Sequence, residues 1–361
     1  MIEKRILKSG KTSWRVRWWH GSSERSKSFS TRREAEHYDR ERKQASQSGK
    51  YVDPKRGRVL VGEVWREYIA SQVHLKEGTR TGYETEYRLR IGPDWGVVAV
   101  NKVTREAVQS WVASLMDNVG SSTVRYAHRV LSLILDYAVR TRRISENPAK
   151  GINLPRLEKS KRQYLSGSAV QALDTRLRQV TKETAYPDIV TTMALTGLRV
   201  GEATGLNVGD FDSDRRRITV RQAYRQIGGK YVMGSPKSRA GYRQVAVPGV
   251  VAGIIEPRVR ERAPELPLFT TGRGRIVRPE NLRRATRWRE TVTELGYPGL
   301  TLHDLRHTAA SLAVQSGANV KVVQRMLGHA SAAITLDIYA DLFDSELDDV
   351  AKRLDSTVGW S

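Results

Sequence analysis

None of the 361 residues is a cysteine, and that absence closes several routes to a stable fold. No disulfide framework can staple the chain, and no thiolate zinc site, zinc fingers included, can hold a small module together. The fold must rest on ordinary apolar burial, for which hydrophobic residues at 39% of the chain suffice in domains of normal size. Domains usually run about 100 to 200 residues, so two or three are expected here. A cytoplasmic location is compatible with the missing thiols but is not required by them.

The formal net charge is +23, with basic residues spread along the whole chain. Such a distribution suits a protein that follows a polyanionic backbone over a long contact, and nucleic acid is the expected partner. No apolar run approaches the ~20 residues of a membrane span. Met1-Ile2-Glu3-Lys4-Arg5 leads into polar sequence rather than the apolar core of a signal peptide.

Hydrophobic periodicity divides the chain into three parts. In the first, residues 1–57, Trp14-Arg15-Val16-Arg17-Trp18-Trp19 alternates aromatic or apolar with basic residues, which puts Arg15 and Arg17 on one face of a strand. Gly21-Ser22 can turn the chain and Arg25 to Phe29 can return as a paired strand. Thr31, with Glu34 three residues on, starts a helix running through Ala35 and Tyr38 toward Ala45. A small arginine-bearing sheet can enter a major groove or simply be solvated.

Residues 47–57 have the Gly, Pro and charge content of a linker. In the second part, residues 58–154, helices are expected over 61–71, 79–91, 104–112 and 122–141, the last with Val130, Leu133, Ile134, Tyr137 and Ala138 at helical spacing. Arg125, Arg129, Arg142 and Arg143 are candidates to line a duplex, as are Arg15 and Arg17. The third part, residues 155–361, reads as mixed but mostly helical, with helices at 168–180 and 187–196, strands near 217–220, 231–233 and 242–247, and helices from Pro279 to Leu354. The class expected is multidomain, mainly α with α+β parts.

Chemistry concentrates in the third part. Thr196-Gly197-Leu198-Arg199 with Glu202 puts an arginine at a helix start just after a glycine turn. Pro236-Lys237-Ser238 offers a lysine on a hairpin, Leu302-His303-Asp304-Leu305-Arg306-His307 two histidines and an arginine, and Leu327-Gly328-His329 a further histidine, with Tyr339 ten residues beyond it. Breaking a phosphodiester needs an activated nucleophile, cations on the nonbridging oxygens and a proton for the leaving oxygen. Tyrosine, paired arginines, and lysine or histidine supply all three without a metal ion. His303 and His307 also stand at the i, i+4 spacing of a helical zinc pair. That reading is poor, because Asp304 replaces the usual glutamate and Arg306 would put a fixed positive charge beside the metal. His307 is assigned a supporting or packing place.

In order and spacing, Arg199, Lys237, His303, Arg306, His329 and Tyr339 resemble the catalytic set of the tyrosine recombinases, specifically phage-type integrases. The resemblance covers the catalytic part over about 200 residues. The two N-terminal parts match in pattern only, as an arm-binding module and a core-binding helical domain. It implies that Tyr339 attacks the scissile phosphate, forming a 3′-phosphotyrosyl link and freeing a 5′-hydroxyl. Lys237 would protonate the leaving oxygen, Arg199 and Arg306 would stabilise the pentacoordinate phosphate, and His303 and His329 would donate hydrogen bonds or move protons. Glu202 would orient Arg199 or touch substrate.

The resemblance further implies no cofactor, metal or ATP, since the ester is exchanged rather than hydrolysed. It implies double-stranded attachment sites of core and arm types, a homotetramer on DNA, a DNA-bending host factor, an excision factor and work in the host bacterial cytoplasm on the nucleoid. Competing readings are a chromosome dimer resolvase, which would ordinarily lack the sheet module, a type IB topoisomerase, and a catalytically dead DNA-binding regulator, against which the filled catalytic set speaks. Leu342, Phe343, Leu347, Val350 and Leu354 suggest a C-terminal helix packing on its own core or on a neighbouring subunit.

Overall fold

The computed structural model describes residues 1–7, 10–20, 23–47, 55–157, 163–236 and 239–344. They divide into two compact units, Met1–Glu158 and Lys159–Ser361. The division falls four residues beyond the boundary expected at 154, and the first unit holds two separate apolar cores.

The first core belongs to an antiparallel meander, β1 (Ile2–Ile6), β2 (Thr12–His20) and β3 (Ser23–Phe29), covered on one side by α1 (Arg32–Gln47). The alternation in β2 turns Val16 and Trp18 onto Ala35 of α1, with Trp14, Phe29 and Tyr38 packed around them. Arg15, Arg17 and the exposed Trp19 therefore share the other face. The helix starts where expected. Thr31 Oγ1 accepts from the Glu34 N–H at 3.3 Å, and the Glu34 carboxylate accepts from the Thr31 N–H at 3.2 Å, a reciprocal cap.

The second core is a helical bundle. It comprises α2 (Val61–Ser71), α3 (Glu77–Glu86), a π-helical turn (Tyr87–Ile91), α4 (Gly92–Trp95), α5 (Arg105–Leu115) and α6 (Ser121–Arg140). On α6, Val124, Ala127, Val130, Leu131, Ile134, Leu135 and Ala138 form a stripe at spacings of three and four, all buried. The single helix expected over 79–91 is corrected to a helix and a wider turn. Pro93 has no N–H to donate and its ring crowds the carbonyl four residues back, so the preceding turn opens to the π form. Tyr87 in that turn stacks on Trp65 with centroids 4.6 Å apart.

The second unit is built around α8 (Ala185–Thr196), which is preceded by α7 (Gly167–Val180) and buried from Ala185 through Ala194. A helix buried on every side belongs at the centre of a domain, and its one charge, Asp188, is paired with Arg178 and Arg258. Then come α9 (Val200–Ala203), β4 (Phe211–Asp212), β5 (Arg217–Val220), β6 (Ala223–Ile227), β7 (Lys230–Gly234) and β8 (Arg243–Ala246). β4, β5 and β8 form one antiparallel sheet in the order β4-β5-β8, and β6 and β7 form a separate hairpin turning at Gly228-Gly229. The helices α10 (Gly249–Val259), α11 (Pro279–Ala285), α12 (Trp288–Glu294), α13 (Asp304–Gln315), α14 (Val320–Leu327) and α15 (Ala332–Asp344) follow. α13 packs along α8 and also meets α14 and α15, which brings the two motif regions together.

Strands β1, β4 and β6 and helix α10 are additions to the sequence reading. The side chains from Ala340 onward, and so the expected apolar row from Leu342 to Leu354, lie outside the described residues. Among the described residues, no helix is long and apolar enough to cross a membrane.

At Gly201 the backbones of α9 and β6 come together so closely that a Cβ would sit 2.2 Å from the Tyr224 carbonyl oxygen. Gly201→Ala must push the hairpin off α9, and overpacking of this kind costs about 1–3 kcal/mol. Gly253→Ala on α10 is the control, because a Cβ there meets nothing within 4 Å. Thermal melting should fall for the first variant and hold or rise for the second; equal melting would contradict the close approach.

Candidate active site

Gly197 ends α8 in the left-handed region (φ 68°), turning the chain so that Leu198 is buried and Arg199 becomes the residue that opens α9. Glu202, three residues on, accepts from the Arg199 backbone N–H at 2.9 Å and from its Nη1 at 2.8 Å. Arg199 is thus fixed at its base while 43% of its side chain stays exposed.

Arg306, in the first turn of α13, is only 2% exposed. Its guanidinium donates to the Gly197 carbonyl at 2.7 Å and to the Leu327 carbonyl. Those carbonyls belong to the C-terminal ends of α8 and α14, where unsatisfied acceptors and the negative pole of each helix meet a cation. Burial, and then the charges of Arg199 and Arg243, push the Arg306 pKa down to about 9, opposed by Glu202. It stays charged at neutral pH.

Sequence reasoning missed Arg243, the first residue of β8. It donates from Nη2 to Glu202 at 2.8 Å, from Nε to the Met326 carbonyl at 2.7 Å, and from Nη1 to the Gly241 carbonyl at 3.2 Å. One buried side chain therefore ties the carboxylate behind Arg199 to the end of α14 and to the loop that follows Lys237. Burial alone would raise the Glu202 carboxyl, but the hydrogen bonds and charge of Arg243, and then those of Arg199, hold it below the usual range. The available signal was spacing: an arginine two residues before a buried strand valine, Val245, puts it on the same face.

His303 immediately precedes α13, its ring accessible from a cleft of about 330 Å³ shared with Arg199, Glu202, Tyr224, Pro236 and Gly241. Partial desolvation, then the charge of Arg306, lowers its pKa. His329 follows Gly328, the left-handed end of α14 (φ 67°), and its Nδ1 lies 2.9 Å from Thr335 Oγ1. Burial, then Arg306 and Arg199, push it down to about 4, so it is neutral at physiological pH. Both histidines can donate hydrogen bonds without adding charge beside the arginines.

Tyr339 is 1% exposed and sits at a break in α15, with φ −128° and ψ 15°. Its ring lies nearly parallel to that of His329, centroids 6.4 Å apart, and its hydroxyl is 2.7 Å from His307 Nδ1. His307 was expected only to support or pack. Lys237 lies outside the described residues, although Pro236 and Gly241 on either side of its loop line the cleft.

The duplex candidates are placed variously. Arg17 pairs with Glu3 at 2.8 Å and with Glu24, and Arg15 donates to Ser26 at 2.7 Å. Arg125 donates to the Pro155 carbonyl at 3.1 Å and Arg143 to Glu67 at 2.5 Å, whereas Arg129 and Arg142 are exposed. These pairings are missed by periodicity, which reports a face and not its partners.

The Glu202 and Arg243 side chains are 3% and 6% exposed. Orphaning one member of such a pair typically costs about 3–5 kcal/mol, and the low end applies because Arg199 remains. Arg243→Ala should therefore lose about 3 kcal/mol in urea unfolding, partly recovered by adding Glu202→Gln. A single variant within 0.5 kcal/mol of wild type would show that Arg243 does not support the cluster.

The phage integrase family model matches residues 163–346, just over half of the chain. Integrases of mycobacteriophages FRAT1 and D29 are each 28% identical over 308 residues, spanning 83% of this chain and 89% and 79% of theirs. A XerC-like tyrosine recombinase of Caldanaerobacter subterraneus is 24% identical across 96% of this chain and 97% of its own length. The fold resembles that of the Tn1549 transposon integrase in complex with a circular intermediate DNA, with a TM-score of 0.68 at 20% identity, covering 81% of this chain and 99% of that one. A lambda integrase dimer bound to a COC′ core site gives 0.61 at 14% identity over 93% of each chain. The chain belongs to the phage integrase family and is a site-specific tyrosine recombinase.

Proposed function

We propose that this recombinase integrates, and excises, a phage or mobile element at attachment sites through a 3′-phosphotyrosyl intermediate on Tyr339. The observation that carries this reading is convergence: Arg199, His303, Arg306, His329 and Tyr339 come from four separated segments, joined through the hydrogen bonds of Glu202, Arg243 and His307. Arg199 reaches out to a scissile phosphate while Arg306 supplies charge from beneath. His303 and His329, held neutral, donate to nonbridging oxygens, and Lys237 protonates the leaving 5′-oxygen. The mycobacteriophage integrases among the relatives support attachment sites as the substrate.

The scheme calls for no metal or ATP, because side-chain cations neutralise the phosphate and the ester bond is exchanged. Residues 1–57 act as an arm-type module, 58–154 as a core-type DNA-binding domain and 155–361 as the catalytic domain. The assembly is a homotetramer on two duplexes in the host bacterial cytoplasm, helped by a DNA-bending host factor and an excision factor. In the arm module, the salt bridges of Arg17 to Glu3 and Glu24 reduce the charge it offers, so Arg15 and the exposed Trp19 carry more of the contact on that face.

Tyr339→Phe should abolish the covalent adduct on a nicked suicide duplex while leaving duplex binding nearly intact, because only the phenolic oxygen is lost. An adduct from the Phe variant would move the nucleophile elsewhere. Arg199→Ala should slow cleavage ~100- to 1,000-fold, as loss of one oxyanion donor does; undiminished cleavage would break the clamp.

Removing residues 1–57 should spare cleavage of a minimal core site but greatly reduce integration on a complete attachment site. A second tethered contact raises occupancy at a weak core site by effective concentration. Full-rate integration by the truncated protein would make the module a solvated accessory.

A further inference from the structure

His307 has no chemical role in that scheme beyond joining the cluster, yet its Nδ1 is 2.7 Å from the Tyr339 hydroxyl and both residues are buried, at 9% and 1% exposure. A phenol with an ordinary pKa of about 10 is protonated at neutral pH, so attack on phosphorus requires the proton to leave. The hydroxyl is withdrawn from bulk water. A base must lie within about 2.6–3.2 Å of the proton donor, and His307 does. His329, the other imidazole facing the tyrosine, lies parallel to its ring and has Nδ1 on Thr335.

We propose that His307 is the proton acceptor for Tyr339, which makes it a catalytic residue; this rests on Tyr339 being the nucleophile. As Tyr339 Oη bonds to phosphorus and the P–O5′ bond breaks, the phenolic proton passes to His307 Nδ1, while the leaving 5′-oxygen takes its proton from the general acid. In strand transfer the incoming 5′-hydroxyl gives a proton to that acid, the phosphotyrosyl bond breaks and His307 returns its proton to Tyr339. The ring must begin neutral with its hydrogen on Nε2.

The groups facing this imidazole come from several elements. Tyr164, ahead of α7, meets it edge to face at 6.5 Å, and His303 of the same turn does so at 5.3 Å. Tyr339 faces it from α15, His329 from the loop after α14, and Arg306 precedes it on α13. The rings of Tyr164, His303 and Tyr339 packed around it leave the imidazole little freedom to turn away from the tyrosine.

The test is single-turnover cleavage of a nicked suicide duplex across a pH series by the full-length wild type, His307→Asn and His307→Ala, with Tyr339→Phe alongside. Asparagine can still hydrogen-bond the phenol but cannot carry its proton. Both His307 variants should cleave ~100- to 10,000-fold more slowly near neutrality, the range for a general base, with unchanged duplex affinity. The deficit should shrink as pH rises and hydroxide takes over.

Added imidazole should restore part of the His307→Ala rate in proportion to its free-base fraction. That rescue is read within one protein, so altered folding cannot mimic it. Rates within threefold of wild type, or a pH-independent deficit with no rescue, overturn the proposal. If Tyr339→Phe still forms the adduct, the nucleophile assignment fails instead.

Discussion

The second unit depends on keeping the charge of Arg306 buried. An isolated guanidinium moved into an apolar interior would cost several kcal/mol even after relaxation. Here the cost is offset by acceptors that no side chain has to supply. Gly197 and Leu327 give their carbonyls at the ends of α8 and α14, and Glu202 adds a full negative charge nearby. The cation holds only if both helices end at the same place, so Arg306 specifies how α8, α13 and α14 meet. The same turn that gives up the Gly197 carbonyl also aims Arg199 outward, which links the buried cation to the exposed one.

A second consequence is electrostatic. Arg199, Arg243 and Arg306 surround one buried carboxylate, Glu202, and leave an excess of positive charge around a cleft open to solvent. That excess suits a phosphate entering with its own charge, and it makes further protonation unfavourable. His303 and His329 are depressed for this reason as well as by desolvation. The site is charged by arginines that cannot titrate near neutrality and lined by histidines that remain neutral there, so its electrostatics should hold steady across physiological pH.

Much of this was legible in the sequence, for identifiable reasons. The α6 stripe, the cap between Thr31 and Glu34 and the alternation in β2 are local patterns whose physics spans only a few residues. Arg199, His303, Arg306, His329 and Tyr339 were legible as an ordered set, and the fold brings them together. Arg243 was not, because its meaning lies in contacts 41 and 83 residues away in sequence. His307 was read only at helical spacing from His303, whereas its hydrogen-bond partner Tyr339 arrives from α15, far off in sequence. The π-helical turn needed the crowding by Pro93 to be weighed against a continuous helical period. The short β6 was not read, although Gly228-Gly229, the turn that pairs it with β7, was a signal for it.

On the proposed mechanism this cluster presents Tyr339, and no other of the chain's 14 tyrosines, to a phosphate. The direct measurement is to trap the covalent protein–DNA adduct on a nicked duplex, digest both components and locate the nucleotide-bearing residue by mass spectrometry. A single modified peptide with the nucleotide on Tyr339 is the expected result. A nucleotide on any other residue, or cleaved duplex with no modified peptide, would contradict it.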